Sequence, residues 1–95
     1  MKEIVINYYR KNYRLQVTQV YAGESLSRYE VTAGSKAILL ERRNERAFSK
    51  RWKLISLNWE FINKKIAAEF INEIMVELDK AIAAKKINFT NRPKD

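Results

Sequence analysis

A change of hydrophobic period near residue 60 predicts an α+β fold. Before it, apolar residues recur at every second position in several short runs; after it, they recur at helical spacing in one long run. Short polar or glycine-bearing breaks separate the early runs, which favours neighbouring strands joined as an antiparallel meander. The expected architecture is an antiparallel meander of about five strands followed by one long C-terminal helix packed on one sheet face.

Residues 3–9 read as the first strand, with Ile4, Ile6 and Tyr8 on one face, and Arg10-Lys11-Asn12 breaks it. Residues 13–21 alternate, placing Tyr13, Leu15, Val17 and Tyr21 on one face and Arg14, Gln16 and Thr18 on the other. Gly23-Glu24-Ser25 marks a turn. In residues 26–33, Tyr29 and Val31 oppose Arg28, Glu30 and Thr32, and Gly34-Ser35 marks the next turn. Ala37-Ile38-Leu39-Leu40 is a short apolar run that reads as a strand in this setting. Residues 42–53 read as a basic connection. Lys53 to Trp59 alternates again, with Ile55, Leu57 and Trp59 facing one way.

At 100° per residue, Ala67, Phe70, Ile71, Ile74, Leu78, Ala81 and Ile82 fall within an arc of about 120°, while Lys65, Glu69, Glu73 and Lys80 lie opposite. Asn58 and Asn63 are both suitable N-caps, and Lys80, Lys85 and Lys86 suit the dipole near the far end. The expected core joins Phe70, Ile74 and Leu78 to Leu15, Val17 and Ile55. Residues 1–86 read as a single α+β domain and 87–95 as a flexible tail.

Composition narrows the chemistry. The chain has 95 residues, 46% of them apolar, with a formal net charge of +8. It has no cysteine and no histidine, which removes disulfides, thiolate metal sites and the commonest general base. Its two glycines lie far apart and neither opens a helix, so no phosphate-cradling loop forms. A non-enzymatic protein without cofactor or metal is expected. No run approaches the roughly 18 apolar residues of a membrane span, and the amino terminus lacks a signal-peptide core, so the expected location is cytoplasmic and no membrane partner is implied.

The functional hint is charge. Residues 42–53 hold six cations, Arg42, Arg43, Arg46, Lys50, Arg51 and Lys53, against one anion, Glu45. Phe48 and Trp52 stand among them. Cations attract polyanions and an interleaved ring offers a base a stacking surface. The same segment also fits a solvated loop whose cations pair with Glu69, Glu73 and Glu77, with Trp52 anchoring the last strand. A second basic-aromatic cluster runs from Tyr8 to Arg14. In a sequential meander it lies at the opposite end of the sheet, and the two clusters connect only across the open face, through Arg14 and Arg28. A track of that kind suits an extended single strand, because no helix is free to enter a duplex groove.

These residues point to weak, phosphate-directed binding of single-stranded DNA or RNA through Arg42, Arg43, Arg46, Phe48, Lys50, Arg51, Lys53, Arg14 and Arg28. The alternative is a protein-interaction or self-associating module. Val5, Tyr9 and Val20 fall on the face away from the expected core and suggest a homodimer through that face.

Overall fold

Alternation builds the sheet and the helical stripe covers it. The computed structural model describes residues 2–84. Five strands, β1 (Lys2–Tyr8), β2 (Lys11–Ala22), β3 (Leu26–Ala33), β4 (Lys36–Arg43) and β5 (Trp52–Asn58), pair in chain order, each antiparallel to the next. A single turn of helix, α1 (Phe48–Arg51), joins β4 to β5, and α2 (Lys64–Ala83) comes after it. The predicted tail, 87–95, lies outside the described residues, as do Lys85 and Lys86.

The inward positions of four strands supply Ile4, Ile6, Leu15, Val17, Tyr29, Val31, Ile38 and Leu40, and α2 lays Phe70, Ile71, Ile74, Leu78 and Ala81 on them. Asn63 is the N-cap: its Oδ1 accepts from the Ile66 amide at 2.9 Å. Trp52 completes the core at the start of β5.

Two bulges explain where the expected faces differ. Gln19 pairs with Tyr29 but Tyr21 pairs with Arg28, so Val20 is an extra residue and Tyr21 crosses to the open face. Likewise Ser56 pairs with Leu39 and Leu54 with Leu40, which leaves Ile55 as the extra residue. Ile55 therefore leaves the core side; its 37% exposure is matched by Leu54 and Leu57, because α2 does not cover this part of β5. Leu54 and Leu57 share the core side, opposite Leu40 and Ile38. A period of two cannot signal an inserted residue, because the pattern beyond it is intact but inverted.

The hairpin at the start differs as well. Tyr8 pairs with Lys11, so the loop is Tyr9-Arg10, and Tyr9 belongs to a turn rather than to a sheet face. Both residues have positive φ, 51° and 63°. A two-residue loop with that geometry ordinarily uses Asn-Gly, since side chains beyond Cβ are disfavoured there. The β3–β4 turn meets the same demand with Gly34, at φ 63°.

Ile74→Ala should cost ~2–5 kcal/mol in urea unfolding, the usual range for removing buried aliphatic volume. Tyr9→Asn with Arg10→Gly should instead raise stability by ~1–2 kcal/mol, by relieving part of the left-handed strain.

Candidate nucleic-acid interface

The basic segment is built from the end of β4, α1 and the start of β5, and an acid on α2 organises it. Asp79 accepts from Arg42 Nε at 2.9 Å and from Trp52 Nε1 at 3.1 Å, and it pairs with the Arg51 guanidinium. Arg51 also donates to the main-chain carbonyls of Glu45 and Arg46, and its guanidinium lies 5.9 Å from the Phe48 ring centre. Arg42 and Arg51 thus tie α2 to β4 and α1. Phe48 is half-buried against the core beneath that contact.

On the open face, Arg28 and Arg43 hold Glu41. Arg28 Nε donates to Oε1 at 3.1 Å and Arg43 Nε to Oε2 at 3.0 Å, while Glu41 itself is only 3% exposed. Burial opposes its charge, but the two guanidinium hydrogen bonds outweigh burial and hold the carboxyl below its ordinary range. The carboxylates that neutralise the segment are therefore Asp79 and Glu41, in place of the Glu69, Glu73 and Glu77 expected from helical spacing. Glu69 accepts from the Tyr8 hydroxyl at 2.6 Å, and Glu77 pairs with Lys80. The hydrogen bond to Glu69, then burial, holds the Tyr8 phenol above its usual range.

Arg46, Lys50 and Lys53 are exposed, without a carboxylate partner among the described residues. This end of the sheet still carries an excess of cations: Arg28, Arg42, Arg43, Arg46, Lys50, Arg51 and Lys53 face Glu24, Glu41, Glu45 and Asp79.

The opposite end has a different make-up. Phe70 sits at the centre of a ring cluster, with Tyr13 at 5.1 Å, Trp59 at 5.3 Å, Phe61 at 5.5 Å and Tyr8 at 5.7 Å between centres. These rings and Lys36 line a cleft of about 360 Å³. Trp59 and Phe61 stack at an interplanar angle of 16°, and Lys36 Nζ lies 5.5 Å from the Trp59 ring centre. Tyr9, 71% exposed, meets Tyr8 edge-on at the hairpin tip. Five cations belong to this end: Arg10, Lys11, Lys36, Lys64 and Lys65. Among the described residues none of them has an ion pair. Lys64 and Lys65 open α2, whose first turn holds no acid, so they add to the positive pole of its dipole.

Sequential strand order sets the two basic clusters at opposite ends, as the turn sequence implies. The cations expected to bridge them are engaged: Arg14 pairs with Glu3 at 3.5 Å and Arg28 with Glu41. Glu30 also lies on the open face, on the same strand as Arg28. The ring cleft and Lys36 were not among the expected site residues. Their signal is the run Trp59-Glu60-Phe61-Ile62-Asn63-Lys64-Lys65, two rings followed by two lysines, which the helix-start reading absorbs.

Among the described residues no group of three acidic side chains gathers to hold a metal ion, and no helix is long and apolar enough to cross a membrane. Searches of protein-family models, of curated proteins and of solved structures found no match to the chain.

The Glu41 arrangement predicts an acid limb in stability. A carboxyl held below its ordinary value of 4.5 favours the fold at pH above that value, and this contribution disappears as pH falls through the lower folded value. Melting temperature should therefore drop below about pH 4.5, and Glu41→Gln should lower it at neutral pH while flattening that limb.

Proposed function

We propose that the protein is a small non-enzymatic domain that binds single-stranded nucleic acid weakly, with phosphates on exposed cations and bases against the rings at the Trp59 end. The observation that carries this reading is the set of five cations without carboxylate partners, Arg10, Lys11, Lys36, Lys64 and Lys65, at the end that also holds the aromatic cleft. Polyanion attraction needs cations that are not already neutralised, and base stacking needs accessible ring faces. The 42–53 segment offers less of both: Arg42, Arg43 and Arg51 are engaged, Trp52 is buried and Phe48 lies beneath Arg51. Its Arg46, Lys50 and Lys53 are without carboxylate partners but lie at the opposite end of the sheet.

A single strand fits better than a duplex. α2 is committed to the core and α1 is one turn long, so no helix is free to enter a groove. The strained hairpin tip agrees with this reading, since costly backbone conformations cluster where a binding surface requires them.

Fluorescence anisotropy with labelled single-stranded DNA and RNA at low salt tests the proposal. Replacing Arg10, Lys36, Lys64 and Lys65 by Ala should reduce the log–log salt slope by about 3, at ~0.7 for each phosphate no longer neutralised. Tyr9→Asn with Arg10→Gly should bind more weakly although it is the more stable protein. Absence of binding at tens of micromolar protein, or full binding by the fourfold alanine variant, would overturn the assignment. A second reading, a self-associating module, is favoured by one observation: the apolar free edge of β5.

A further inference from the structure

We infer that β5 is a pairing edge for a second copy of this chain, joined antiparallel about a two-fold axis into one continuous sheet. β5 ends the sheet, and six of its seven residues are exposed. Three of those are large and apolar: Leu54 at 39%, Ile55 at 37% and Leu57 at 41%. Leu54 and Leu57 lie on the core side, yet α2 does not cover them, because of the strands it comes closest to β1. An uncovered apolar edge with unpaired backbone donors and acceptors is a template for another strand. Two of the devices that ordinarily blunt such an edge are present, Lys53 and the bulge at Ile55, but β5 has no proline and no second charge, and its other outward residues are apolar or uncharged.

The composition of β5 selects its own copy as the occupant. Antiparallel pairing about a two-fold axis perpendicular to the sheet must match like faces, since a one-residue slip inverts every side chain. The register that does so sets Leu54 opposite the partner's Leu57 and Trp52 opposite the partner's Trp59. Lys53 then faces the partner's Asn58, and no like charges are opposed. The bulge residue Ile55 falls beside the axis, facing the partner's Ser56, so the irregularity is shared symmetrically. The β1 edge has less to gain: pairing about Val5 would set Ile4 opposite the partner's Ile6, but both are already buried in the core beside α2, whereas Leu54 and Leu57 are exposed.

Pairing also completes the binding surface proposed above, and this second part rests on that reading. With Trp52 opposite the partner's Trp59, α1 and its Lys50 come alongside the partner's ring cleft. Each cleft then receives cations from the other copy.

Sedimentation equilibrium tests the pairing. The native chain should run at twice its monomer mass at tens of micromolar. Leu54→Lys with Leu57→Lys opposes like charges across the axis and should yield a monomer with unchanged circular dichroism, because both positions are already part-exposed. Leu54→Glu with Leu57→Lys opposes unlike charges in the same register and should restore the dimer. A native monomer at high micromolar concentration, or a dimer indifferent to both double variants, overturns the proposal. Binding is read separately on Leu54→Asn with Leu57→Asn, which removes the apolar match without adding charge and should also be monomeric: its single-strand salt slope should be smaller by about 2, at ~0.7 for each phosphate that Arg46, Lys50 and Lys53 of the second copy no longer reach. An unchanged slope removes the shared site and leaves the pairing intact, whereas a native dimer that ignores nucleic acid refutes the functional reading alone.

Discussion

Asp79 is the constraint on which one side of this molecule depends. Its carboxylate receives Arg42 from β4, Arg51 from α1 and the indole of Trp52 from β5. One helical acid therefore ties α2 to three consecutive pieces of chain. A carboxylate flanked by two guanidinium groups at a partly buried site exerts strong orientation, since each hydrogen bond is charge-assisted. The arrangement also turns two arginines of a basic run into structural members. Charge composition cannot distinguish an arginine that faces solvent from one that pins a helix.

The other constraint is geometric. A single α-helix covers a strip narrower than a five-stranded sheet, and here it comes closest to β1 while Asp79 reaches β4 and β5. The core is complete where the helix lies, with Ile74 and Leu78 fully buried against the strands. On the far side Leu54 and Leu57, on the same face of the sheet, stay part-exposed. The ring cluster around Phe70 partly compensates at one end, because Trp59 and Phe61 fold back from the chain after β5. The cleft thus arises from closing a core with too little helix, and its rings are held by packing around Phe70 together with the Tyr8–Glu69 hydrogen bond.

Much of the fold was legible because its rules are periodic. Ile4 and Ile6, Leu15 and Val17, and Tyr29 and Val31 occupy the face their alternation assigns, and the α2 stripe from Phe70 to Ala81 is buried as its spacing requires. What was not legible depends on single residues out of step. Val20 and Ile55 are bulge residues, and each inverts the faces of the residues beyond it in its strand. The site was less legible than the fold. Arg42 to Lys53 stands out in sequence because its cations are contiguous, yet its partners Glu41 and Asp79 lie on different elements. The aromatic cleft assembles residues from both hairpins at one end and the segment after β5, so no local window contains it.

The strictly sequential strand order has a consequence for how the fold is reached. Every pairing in the sheet joins neighbours along the chain, so each hairpin closes a short loop at small entropic cost. Among the described elements α2 makes the longest connection, reaching back to β1 and to Tyr8 through Glu69. During synthesis the meander can form strand by strand, but its apolar face has no cover until the last described helix has been made. For that interval the nascent sheet exposes Ile6, Leu15, Val31 and Ile38 together, and a chaperone or a neighbouring chain would meet the surface that later becomes the core.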